Sequence, residues 1–191
     1  MEGFLVSTGI VALAEIGDKT QLLALVLAAK YRKPLPIVLG ILVATLFNHA
    51  VAGYVGAWVA AAVGGELMRW ILGVSFIAMA GWMLVPDKLD EAGEKPARYG
   101  VFLTTLIAFF IVEMGDKTQI ATVALAAKYG SLIAVVGGTT LGMMIANVPA
   151  VLLGEVAAKK LPMRLVHGTA AAIFLLLGVL VLLGVGVDLV D

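Results

Sequence analysis

The segment Glu15-Ile16-Gly17-Asp18-Lys19-Thr20-Gln21 returns as Glu113-Met114-Gly115-Asp116-Lys117-Thr118-Gln119, and each copy lies inside an apolar run that otherwise carries no charge. A carboxylate at the centre of a bilayer costs roughly 2.5–3.5 kcal/mol on insertion scales. Two acids and a base in one run, repeated in a second, are hard to account for as packing. A charged species must compensate them, and a transported cation is the first candidate.

The apolar runs belong in a membrane. The chain is 62% hydrophobic and only 14% charged, with a mean hydropathy of +1.07, whereas a soluble domain is about 25% charged. Net charge is zero, which gives a nucleic-acid partner no support. The absence of cysteine removes disulfides, thiolate metal sites and thiol redox chemistry together. Met1-Glu2-Gly3-Phe4 offers no basic n-region, so the first run is expected to be retained as a span.

Six spans are expected: Phe4–Ala29, Pro36–Val63, Leu67–Val85, Val101–Ala127, Leu132–Ala157 and Leu165–Val187. Each approaches or exceeds the ~20 residues that cross the hydrocarbon. The repeat extends past the motif at a constant offset of 98: Ala28-Ala29-Lys30-Tyr31 matches Ala126-Ala127-Lys128-Tyr129, Gly40 matches Gly138, Gly56 matches Gly154, and Phe76 matches Phe174. The expected fold is therefore an all-α integral membrane protein of two three-helix repeats, 1–86 and 100–191, joined by a cytoplasmic linker at 87–99. Three spans per half is odd, so the halves enter the membrane with opposite polarity. Charge agrees: Lys30, Arg32, Lys33, Lys88, Lys95, Arg98, Lys159, Lys160 and Arg164 fall on one side, and Arg69 and Lys128 on the other. The richer side is cytoplasmic, which puts both termini outside.

Inverted repeats place a substrate site near the midplane, between repeats, and both motifs are mid-span. On a regular helix Glu15, Asp18 and Lys19 share an arc. Gly17 would allow either a helix break or close approach by a partner helix. Together the copies offer four carboxylates (Glu15, Asp18, Glu113, Asp116), two amides (Gln21, Gln119) and the hydroxyls of Thr20 and Thr118. Such hard oxygen ligands suit calcium, magnesium or manganese. With Lys19 and Lys117, the formal charge of minus two equals what a divalent cation cancels. Clustered carboxylates of this kind are suited to giving up protons as a cation arrives and regaining them as it leaves.

The doubled Glu-x-Gly-Asp-Lys/Arg-Thr/Ser pattern, in a short six-span chain, resembles the Gdt-type family of calcium/manganese–proton exchangers. The likeness covers essentially the whole chain. It implies cation/proton exchange with the ion, manganese or calcium, held by Glu15, Asp18, Glu113 and Asp116. Lys19, Thr20, Lys117 and Thr118 follow as motif members. The short central loop resembles bacterial members, which implies an inner-membrane location and manganese efflux. No cofactor is expected beyond the transported ion; the partners are the bilayer, the cation and protons.

Outside the motifs, Asn48, His49 and Asn147 stand in spans two and five as neighbours of the carboxylates or as interhelical hydrogen-bonding groups. His167 reads as interfacial, Glu155 as a rim or gate charge, and Asp87, Asp90, Glu91 and Glu94 as a solvated acidic connector. Trp58, Trp70 and Trp82 suit an aromatic belt. Two other functions compete with this reading. An exporter of amino acids or small organic cations would need a carboxylate-binding group beyond Lys19 and Lys117. An intramembrane aspartyl protease would pair Asp18 with Asp116, but the neighbouring lysines and the preceding Glu-x-Gly speak against a proton-sharing dyad.

Overall fold

A computed structural model describes residues 1–85, 100–153 and 163–184. The linker acids Asp87, Asp90, Glu91 and Glu94, together with Glu155, Gly154 and the side chain of His167, lie outside what is described. The described residues form eight helices and no strand: α1 (Glu2–Glu15), α2 (Lys19–Tyr31), α3 (Pro34–Ala62), α4 (Gly65–Met83), α5 (Val101–Glu113), α6 (Lys117–Tyr129), α7 (Leu132–Leu153) and α8 (Met163–Leu182). Helices α2 and α6 begin and end at an offset of 98, and α3 and α7, like α4 and α8, begin at that offset.

The expected first and fourth spans are each two helices, not one. The apolar pattern runs unbroken across both motifs, so hydropathy gives no sign of the interruption. The glycine gives the physical cause. Gly17 (φ +84°) and Gly115 (φ +75°) occupy the left-handed region, which side-chain-bearing residues rarely adopt. The regular-helix arc for Glu15, Asp18 and Lys19 is thereby replaced by a break: Glu15 ends one helix and Asp18 caps the next.

Helices α3 and α7 are long and apolar enough to cross a membrane without interruption. At 1.5 Å per residue, the 29 residues of α3 and 22 of α7 span about 44 and 33 Å. The surface is apolar, and polar side chains are buried among the apolar core residues. Leu46, Phe47, Val51, Tyr54, Val55 and Trp58 are exposed along α3, while Thr45, Asn48 and His49 on its other face are buried. Trp70 and Trp82 are exposed as well.

The halves interleave. Helix α3 packs along α5, and α7 along α1, with glycines at the crossings. A Cβ at Gly40 would lie 2.8 Å from Thr105 and 2.9 Å from the Phe102 carbonyl oxygen; one at Gly138 would lie 2.4 Å from the Phe4 carbonyl oxygen and 3.1 Å from Ser7. These are the same contact at the 98-residue offset. Asn48 reaches the Phe110 carbonyl, so α3 and α5 advance in the same direction. Gly142 against Thr8 shows the same for α7 and α1. By contrast α4 and α8 are antiparallel, with Gly73 against Leu182 and Phe76 against Phe174.

The α4–α8 pair is placed unevenly. Helix α4 packs on α6 and α8 on α1, with no comparable contact of α4 on α5 or α8 on α2. One apolar cluster accordingly joins Ile10, Ala14, Met68, Leu72, Phe76, Ala121, Leu125 and Phe174. The other joins Leu23, Leu27, Ile37, Ile41, Phe109 and Ala150, and draws nothing from α4 or α8.

Candidate cation site

The two breaks have the same construction. The Gly17 N–H donates to Gln21 Oε1 at 2.8 Å, and the Gly115 N–H to Gln119 Oε1 at 2.6 Å. The Asp18 N–H donates to the Glu15 carbonyl, and the Asp116 N–H to the Glu113 carbonyl. The glutamines, expected to offer oxygens to a cation, thus direct those oxygens to the glycine amides. Asp18 and Asp116 are N-caps with extended backbone and make no side-chain capping bond. Their carboxylates stay at the positive end of a half-helix, a placement that favours a negative charge by about 0.3–1 kcal/mol or more when partly buried.

Glu15, Asp18 and Asp116 come together: one ligand oxygen from each lies within 4.8 Å of the others, and all three residues are buried. Two oxygens on opposite sides of a divalent ion, each bound at 2.3–2.6 Å, stand roughly this far apart. Lys19 of the first motif pairs with Asp116 of the second at 2.9 Å. With these groups ionised the cluster carries minus two. The Thr20 hydroxyl donates to Glu15 Oε2, and Thr118 also faces the Glu15 carboxylate. Lys117 is buried and donates to the Val85 carbonyl at the end of α4, 3.2 Å away.

Glu113, the fourth expected ligand, faces a different set of groups. Its Oε1 lies 2.8 Å from His49 Nε2, and its Oε2 accepts from Thr45 (3.3 Å) and Asn48 (3.4 Å). His49 and Asn48 are therefore direct partners of a motif carboxylate. Thr45 was missed in the sequence; its only signal was its position one turn before Asn48 and His49 on an apolar helix. Asn147 is buried on α7, and its Nδ2 donates to the carbonyl oxygen (3.1 Å) and the sulfur (2.9 Å) of Met143.

Three buried carboxylates from two broken helices thus lie together beside a lysine, a donor set able to hold a hard divalent cation. The family described as divalent cation/proton antiporter GDT1 matches residues 3–91 and 101–187. The chain is 52% identical to a Vibrio cholerae protein named "Putative manganese exporter", over 90% of this chain and 86% of that protein. It is 29% identical to the GDT1-like protein sll0615 of Synechocystis, over 89% and 91% of the two chains, and 26% identical to an Arabidopsis thaliana chloroplastic PAM71-homolog, over 96% of this chain and 60% of that one. No solved structure matches this chain. The chain belongs to the GDT1 family of divalent cation/proton antiporters.

Proposed function

We propose that this protein exports manganese from the bacterial cytoplasm in exchange for protons. Glu15, Asp18 and Asp116 bind the ion; Gln21 and Gln119 brace the two breaks; Glu113 with His49 forms the adjoining wall. The observation that carries the reading is the convergence of carboxylates from both motifs within 4.8 Å, beside Lys19. A third carboxylate and a paired lysine suit an ion site better than a two-aspartate protease dyad. The manganese assignment draws on the name of the Vibrio relative and on the hard-oxygen donor set.

The same reading takes the chain as six spans in two inverted repeats, 1–86 and 100–191, in the inner membrane. It is supported by the parallel run of α3 with α5 and of α1 with α7, since halves of equal polarity would make these pairs antiparallel. It is also supported by the grouping of ends: Gly3 lies on Tyr129, Gly64 and Gly65 line one cavity with Lys128–Gly130, and Gly184 approaches Arg69. These are the ends with few basic residues, the outer ones by the positive-inside rule. Helices α4 and α8 then cover the outer half-helices α1 and α6 and leave α2 and α5 uncovered, an inward-facing arrangement. Lys19 is 24% exposed while Lys117 is 2% exposed, as that arrangement requires. Moving the α4–α8 pair onto α2 and α5 would produce the opposite state.

Proteoliposomes test this directly. Manganese uptake should be driven by an imposed pH gradient, with measurable proton counterflow, and should fail in Asp18→Asn and Asp116→Asn. Transport by either variant at the wild-type rate, or flux without proton movement, refutes the exchange mechanism.

A further inference from the structure

With one oxygen from each carboxylate, the acidic cluster supplies three ligands, and manganese or calcium takes six or more. The repeat indicates where another protein ligand stands. Position 49 on α3 corresponds to position 147 on α7, and Glu113 corresponds to Glu15. The two crossings that set these positions are alike, with Gly40 on Phe102 and Thr105 in one, and Gly138 on Phe4 and Ser7 in the other. His49 touches Glu113 at 2.8 Å. Carried over by the repeat, the same geometry predicts that Asn147 stands beside Glu15. An independent tie brings α7 to the same place: Gln21 Nε2 donates to the carbonyl of Ala146, the residue before Asn147, at 2.9 Å.

Asn147 is fully buried, and among the described residues its Oδ1 has no hydrogen-bond partner. Its Nδ2 is held by the Met143 carbonyl and sulfur, which fixes the amide plane and leaves the oxygen as the free end. Buried carbonyl oxygens without partners are uncommon in folded proteins and call for an explanation.

We infer that Asn147 Oδ1 is a neutral oxygen ligand of the transported divalent cation, completing the site formed by Glu15, Asp18 and Asp116. This rests on the cation-site reading above. It makes the two halves chemically distinct: an amide oxygen serves the ion beside Glu15, whereas an imidazole occupies Glu113. The Met143 sulfur is already accepting the Asn147 N–H, so the same contact keeps a soft donor turned away from the ion.

The test is manganese binding to the purified full chain in detergent, by calorimetry and by the electron paramagnetic resonance signal of free Mn2+. Asn147→Ala should weaken binding by about 10–100-fold, the range seen when groups around a metal are lost. Asn147→Asp keeps an oxygen, loses the bond to Met143 and adds a negative charge that favours the cation, so it should bind within a few-fold of wild type or tighter. Asn147→Thr, with no oxygen long enough to reach, should behave like the alanine variant and replaces it if alanine fails to fold. Wild-type binding by Asn147→Ala or Asn147→Thr overturns the inference. So does an equal loss in Asn147→Asp, which would mean that the bond to Met143 is what matters. Asp116→Asn separates the two readings: if it too binds normally, the cluster itself is wrong; if it fails while Asn147→Ala binds, only the ligand role of Asn147 falls.

Discussion

The two motif copies differ only at Ile16 and Met114, and their breaks share the same glycine conformation, the same glutamine brace and the same capping aspartate. Their glutamates nevertheless end in different company. Glu15 joins the two aspartates; Glu113 joins His49, Thr45 and Asn48. The difference comes from the helix that packs on each copy. At the positions where α3 carries Thr45, Asn48 and His49, α7 carries Met143, Ala146 and Asn147. The motif fixes the backbone, and the neighbouring helix decides what each glutamate does.

The largest effects should fall on what the copies share. Both aspartates enter the cluster, so Asp18→Asn and Asp116→Asn should each weaken manganese binding by about 100-fold or more, beyond the losses typical of supporting groups. A strong effect from only one of them would break the equivalence of the two caps. The glutamates should then separate. Glu15→Gln should lose about 10–100-fold in manganese affinity, while Glu113→Gln should bind nearly as wild type. Equal losses would show that Glu113 leaves His49 and joins the ion, and the two glutamates would then be equivalent.

Much of this was legible in the sequence, and the residues that were not share a cause. The repeat, the charge asymmetry and the acidic motif are one-dimensional patterns, and they gave the family resemblance that the comparisons bear out. The helix breaks are not legible there because an apolar run reads alike whether continuous or interrupted; Gly17 and Gly115 are the local signals, and a glycine also suits close helix packing. The pairing of His49 with Glu113 depends on the register of α3 against α5. That register is set by Gly40 seating on Phe102 and Thr105, a contact that no pattern within either helix announces. The aspartates were identified because they lie in the motif, whereas Thr45 was overlooked because it lies in the register.

Those crossing glycines give a smaller contrast. At Gly138 an added methyl meets the Phe4 carbonyl at 2.4 Å, and backbone must move; at Gly40 the nearest atom is the Thr105 Cβ at 2.8 Å, with the Phe102 carbonyl at 2.9 Å. Overpacking costs about 1–3 kcal/mol, and Gly138→Ala should sit at the upper end of that range and Gly40→Ala at the lower. Thermal unfolding in detergent reads the order. Because α7 carries Asn147 and α1 carries Glu15, Gly138→Ala should also weaken manganese binding more than Gly40→Ala does.

The smallest effect concerns the helices and not the site. Val26 on α2 is 43% exposed, and its counterpart on α6, Ala124, is 4% exposed. Helix α4 covers the α6 face, while α8 does not cover the α2 face. The chain has no cysteine, so a single introduced thiol reports on its own position. In inside-out vesicles Val26→Cys should react with a hydrophilic thiol reagent several times faster than Ala124→Cys. A gradient that drives the carrier toward its other state should narrow the ratio, because α4 and α8 would then lie on α2 and α5. Equal reactivity at the two positions, unchanged by manganese or pH gradient, would mean that the uneven packing of α4 and α8 is fixed. Transport would then need a moving part other than this helix pair.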